Sequence, residues 1–76
     1  MRTFISLHDR PIPVYMQDTN SKKALEMLGE TLNRKLQTGK AALRRCIQSL
    51  ISIEIVGSEA TLHAINEHDT RTISLY

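Results

Sequence analysis

Leu50-Ile51-Ser52-Ile53-Glu54-Ile55-Val56-Gly57 is the stretch on which the fold of this chain turns. Isoleucines at 51, 53 and 55 alternate with Ser52 and Glu54, the period-two pattern of a half-buried strand. Ile73 and Leu75 repeat that alternation near the end of the chain. The same residues also continue a helix. Leu43, Ile47, Leu50 and Ile51 form one apolar stripe, and Ile55 lies one further turn along it. Local pattern leaves both readings open.

Upstream of this stretch the helical signal is clear. The second helical pattern opens at Lys40 or Ala41 and puts Arg44, Arg45, Gln48 and Ser52 on the side away from the stripe. Before it, Leu25, Leu28, Leu32 and Leu36 recur at three and four residues, while Lys22, Lys23, Glu26, Glu30 and Arg34 fall elsewhere. That helix is expected to end near Thr38-Gly39, where Gly39 takes the left-handed cap conformation. Gly29 in its interior costs roughly 1 kcal/mol relative to alanine, so another backbone packed closely against it is the expected reason for it.

The first nineteen residues read differently. Pro11 and Pro13 each remove a backbone donor, which argues against a central strand or a helix interior over Ile12–Met16. Asp18, Thr19, Asn20 and Ser21 then favour a turn and a helix N-cap. An extended arm over 1–19 is expected. Its competitor is a hairpin of Thr3–Leu7 with Ile12–Met16, turned at His8-Asp9-Arg10. Past Gly57, Ser58 suits an N-cap, and Leu62, Ile65, Ile73 and Tyr76 fit a helix stripe interrupted by Asp69.

The run Leu28-Gly29-Glu30-Thr31-Leu32-Asn33-Arg34-Lys35-Leu36-Gln37-Thr38-Gly39-Lys40 resembles the small enterobacterial regulators of biofilm formation and acid resistance, the YmgB/AriR group, and within it the YcgZ branch. Arg44-Arg45 stands where that group has a basic pair, and Ile47, Ile51 and Ile55 fall on its leucine-rich second helix. Ile12 with Tyr15-Met16 looks like its short Ile-x-x-Tyr-Phe element. The similarity spans about residues 12 to 56. It implies an all-α homodimer without a cofactor, acting as a connector that tunes two-component phosphorelay signalling.

Pattern and resemblance together set the expectation of an all-α fold: a small helical hairpin plus a third helix, dimeric, in one domain over 1–76. Its parts are the arm at 1–19, helix one at 20–38, helix two at 40–56 and a third element at 58–76. The alternative is an α+β fold with an N-terminal β-hairpin, central helices and a C-terminal β-hairpin. Leu25, Leu28, Leu32, Leu36, Leu43, Ile47 and Ile51 are the expected core and dimer seam.

Size and composition narrow the function. A chain of 76 residues supports one domain with a thin core. Cys46 is the only cysteine, so no internal disulfide can reinforce it, and self-association is the expected remedy. No apolar run approaches the ~18 residues that span a bilayer, and a signal-peptide layout is missing; a cytoplasmic location without membrane insertion is expected. The net charge is only +2, but it is unevenly placed. Arg34, Lys35, Lys40, Arg44 and Arg45 stand together without an acid, whereas Glu54, Glu59, Glu67 and Asp69 stand together without a base.

No catalytic set is visible. Cys46 lacks an orienting group and an oxyanion loop, and reads as a small helix-face residue among Leu43, Ile47 and Leu50. His63 and His68 lie five apart, which on a helix turns the imidazoles away from each other, so no metal or cofactor is expected. The basic residues 34, 35, 40, 44 and 45 are the candidate partner face. The expected function is a non-enzymatic regulator that binds a signalling protein, a phosphorelay component, with effects on biofilm formation and acid or stress resistance. A DNA-binding regulator using the same basic face ranks second, since aromatics for base stacking are few and no recognition helix follows at the right distance. A protein inhibitor of phage or mobile-element type, built on the strand pattern, ranks third.

Overall fold

A computed structural model describes residues 2–18 and 20–75, so Thr19 and Tyr76, placed above in a cap cluster and a helix stripe, lie outside the described residues. The chain runs β1 (Arg2–Leu7), β2 (Arg10–Gln17), α1 (Ser21–Gln37), α2 (Ala41–Gln48), β3 (Leu50–Val56), β4 (Glu59–Ala64), a single 3₁₀ turn (Glu67–Asp69) and β5 (Arg71–Ser74). The strands form one sheet in the order β1-β2-β3-β4-β5. All neighbours are antiparallel except β2 and β3, whose parallel pairing requires the crossover that α1 and α2 supply. The fold is therefore α+β, and the all-α expectation is corrected in favour of its alternative.

The correction is decided in the stretch that was ambiguous. Helix two ends at Gln48 instead of reaching residue 56. Ser49 closes it, with its backbone N–H and its hydroxyl both donating to the Arg45 carbonyl, while the Arg10 guanidinium donates to the Ile47 carbonyl at 2.9 Å. A cation at the last turn also suits the helix dipole. From Leu50 the backbone extends between two neighbouring strands, where β-branched side chains pack well. The register shifts between Leu50 and Ser52, which marks a bulge. That extra residue turns Ile51 out while Leu50, Ile53 and Ile55 point into the core. Ile51, expected in the core and on helix two, is 51% exposed on β3.

The N-terminal arm is a hairpin. His8 and Asp9 form a two-residue loop with φ of 52° and 62°, the paired left-handed conformation of a type I′ turn. Such a loop closes on a hydrogen-bonded pair, here Leu7 and Arg10, so alternation makes Ser6/Pro11 and Phe4/Pro13 non-hydrogen-bonded pairs. The missing proline N–H groups therefore face β3, and pairing with β3 begins only at Val14, one residue past Pro13. Two prolines two residues apart are compatible with an inner strand because both fall on its unpaired half.

Helix α1 matches its expected span. Asn20 accepts from the Lys23 N–H at 3.3 Å as N-cap, and Gly39 (φ +74°) follows the C-cap Thr38. Gly29 departs from expectation: it is exposed, an added Cβ would meet nothing within 4 Å, and no packing in the structure explains it. Leu28, Leu32, Leu43 and Ile47 are buried, and Leu25 and Leu36 pack partly against them. Their counterparts are Ile12, Val14, Ile53, Ile55, Leu62 and Ile73 from the strands, so the leucine stripes expected to need a second copy are covered by the sheet of the same chain.

The last third is a meander. Gly57, at φ +61°, opens the two-residue turn between β3 and β4, and Ser58 sits in that turn rather than capping a helix. Leu62 and Ile73 are buried through alternation along β4 and β5, not through a helix stripe. Asp69, the polar interruption, belongs to the 3₁₀ turn, capped by Asn66 accepting from the His68 N–H at 3.0 Å.

Candidate protein-docking groove

Both helices cover one face of the sheet and leave the other open. Along β2, Ile12, Val14 and Met16 point toward the helices, so Pro13, Tyr15 and Gln17 point away. The ladder then sets Tyr15 beside Glu54, Glu54 beside Thr61, and Thr61 beside Thr72 in one row across the open face. His63 follows Ser52 in the next row and reaches Glu54 at 3.7 Å, an ion pair when the imidazole is protonated.

A mixed polar surface is ordinary for an antiparallel sheet with one wet face. The apolar residues on it are less ordinary. Phe4, Tyr15, Ile51, Val56 and Ile65 are the exposed large hydrophobics of the described residues, and all belong to the strands or their ends; none is on a helix. Tyr15, Ile51 and Ile65 line a shared shallow groove of about 470 Å³, together with Ser52, Glu54, His63, Glu67 and Thr70. Ile65 is 74% exposed at the end of β4. The bulge that expels Ile51 thus completes a small apolar floor, with Glu54 and Glu67 beside it.

The basic residues singled out from the sequence lie on the helical layer. Arg34 and Lys35 occupy the last turn of α1, Lys40 is the N-cap of α2, and Arg44 and Arg45 follow on α2. Lys35 and Lys40 meet Arg71 and Leu43 at a cleft of about 230 Å³, whereas Arg44 lines a separate recess with His8, Leu36, Ile47 and Gln48. Arg34 and Arg45 line neither. The candidate face is therefore divided, and the exposed residues between its charges, Ala41 and Ala42, offer little to anchor a partner.

Cys46 is fully buried, and its Sγ donates to the Leu62 carbonyl at 3.5 Å. Burial pushes its thiol above the ordinary value, outweighing the lowering effect of Arg71. Arg44 and Arg45 are exposed and not among the causes, so their nearness in sequence does not activate the thiol. Among the described residues no three His, Cys, Asp or Glu side chains gather as a metal cluster. No described helix is long and apolar enough to cross a membrane.

Sequence reasoning missed the groove because it assigned Ile51 and Ile65 to helix stripes. The hairpin and the strand were each readable as competitors, but nothing in the sequence set Tyr15, which pairs with Glu54, near Ile51 and Ile65. These features define a small two-layer α+β protein with one helix-covered and one open sheet face. Comparison with protein-family models, curated proteins and solved structures finds no match to the chain.

Proposed function

We propose that this chain is a non-enzymatic protein-binding module that docks the open face of its sheet on a partner with an apolar, cationic surface. The observation that carries this reading is the convergence of Tyr15, Ile51 and Ile65 on one groove beside Glu54 and Glu67. Interfaces draw most of their affinity from a few aromatic and apolar anchors, and neighbouring charges select the partner. Acids around an apolar floor favour lysine or arginine on the other side. They disfavour nucleic acid, whose phosphates they repel.

This is the interaction-module reading of the strand pattern, and it fits an inhibitor or adaptor equally. Regulation of a phosphorelay component in the cytoplasm is its narrower form; it rests only on the sequence resemblance, whose helical reading of Ile51 and Ile55 gives way to strand β3. DNA binding by the helical layer is the second reading, favoured by the cleft where Lys35, Lys40 and Arg71 meet without an acid.

A photo-crosslinking amino acid at Tyr15, compared with one at the exposed Gln37 of α1, tests the proposal in the host cell. Crosslinks to a defined protein from position 15 and not from 37 are expected. With that protein purified, Tyr15→Ala combined with Ile65→Ala should weaken binding by at least about tenfold, as loss of interface anchors does. Crosslinking from Gln37 alone, or affinity of the double variant within twofold of the parent, would overturn it.

A further inference from the structure

The two edges of the sheet are built differently. β5 is four residues long and opens on Arg71, whose guanidinium donates to the His68 and Thr70 carbonyls. β1 is six residues long, and Thr3-Phe4-Ile5-Ser6-Leu7 contains no charge, proline or glycine. Natural sheets blunt long edges with lysine, proline, bulges or brevity, because an unpaired edge is a template for another strand. β1 also opens on an arginine, Arg2, but the five residues that follow it carry none of these. Phe4 on it is 57% exposed, and Ile5 and Leu7 pack only partly against the core.

The hairpin loop fixes which backbone groups are free. Leu7 and Arg10 form the hydrogen-bonded closing pair, so Thr3, Ile5 and Leu7 spend their N–H and C=O groups on β2. Those of Phe4 and Ser6 point out of the sheet along its edge.

We infer that β1 is the interface for a second copy of this chain, two β1 strands pairing antiparallel about Ile5 to make one ten-stranded sheet. The segment is self-complementary in that register. Phe4 falls opposite Ser6 of the second copy in a hydrogen-bonded pair, on the open face. Ile5 meets Ile5 in the closely spaced non-hydrogen-bonded position, and Thr3 meets Leu7, on the helix-covered side. Large residues face small ones or their own kind, and no charge meets a charge. A two-fold axis through such a strand closes the assembly, whereas an unrelated strand would need to match the same spacing by chance. The pairing also completes the burial of Ile5 and Leu7 at the margin of a core that 76 residues leave thin. The docking groove on β2–β4 plays no part in it, so the two proposals stand or fall separately.

Sedimentation of the full chain across the micromolar range should give about twice the 8.6 kDa chain mass. Ser6→Pro removes an edge N–H that β2 does not use, and Ser6→Lys places a charge on the edge; both should return the protein to the chain mass with an unchanged circular dichroism spectrum. Ile5→Cys should give a disulfide-linked dimer on oxidation, since non-hydrogen-bonded partners lie about 4.5 Å apart at Cα, within disulfide range. Thr72→Cys on the opposite edge should not. A monomer throughout that range would overturn the inference. So would a dimer that persists in well-folded Ser6→Lys, or one that crosslinks as readily through Thr72→Cys.

Discussion

Ile51 and Ile53 are the same residue type, two positions apart on the same strand, yet one is 51% exposed and the other fully buried. They represent the two faces of the sheet. On the helix-covered face apolar side chains are consumed by Leu28, Leu32 and Ile47; on the open face they are left for something else to cover. Hydrophobicity in a strand does not by itself report the core. A one-residue bulge decides which face each isoleucine serves.

The largest expected effect is on stability and separates these faces directly. Ile53→Ala should cost about 2–5 kcal/mol by urea denaturation, the range for emptying a packed aliphatic site. Ile51→Ala should stay within about 0.5 kcal/mol, as exposed substitutions do. Equal losses at both positions would erase the distinction between the faces. Binding should show the reverse ranking, with the Tyr15 and Ile65 substitutions weakening the partner about tenfold while leaving the urea midpoint in place.

Smaller effects sharpen the contrast from the helical side. Gly29→Ala should stabilise by roughly 1 kcal/mol, since the glycine sits mid-helix with open space where a methyl would go. A loss of stability there would mean that the position is covered. Cys46 supplies a pH test: its thiol is raised by burial, so the folded state holds its proton more tightly than the unfolded chain does. Its contribution is therefore intact below the ordinary value of 9.0 and is lost as pH rises through and above it. The urea midpoint of the parent should fall more between pH 8 and 10 than that of Cys46→Ala, and parallel curves would contradict the burial argument. Arg44→Glu with Arg45→Glu should change least, leaving fold and groove affinity within about twofold, because both side chains lie on the exposed helical layer. A large loss of partner binding would move the docking site to that layer.

Helix α1, its end at Gly39 and the burial of Leu28, Leu32, Leu43 and Ile47 were legible from residue spacing, because a three-four stripe of leucines has one satisfactory arrangement. The hairpin and the meander were visible only as competitors. Pro11 and Pro13 spoke against an inner strand until the register showed their nitrogens facing the stretch that β3 leaves unpaired. The resemblance to helical regulators favoured the wrong side at Ile51–Val56, since it compared helix faces, and an isoleucine every four residues also passes through a strand of alternating isoleucines.

The sequence by itself determined the parts whose information is local. These are a helix N-cap within the cluster at residues 18–21, the left-handed glycine after α1, and the division of charge into a basic and an acidic stretch. Tertiary structure alone decided where helix two stops, which way Ile51 and Ile65 point, and that Tyr15 joins them. The physical reason is that a strand is stabilised by its neighbours rather than by its own hydrogen bonds. Leu50–Val56 becomes a strand because β2 and β4, distant in sequence, arrive on either side of it.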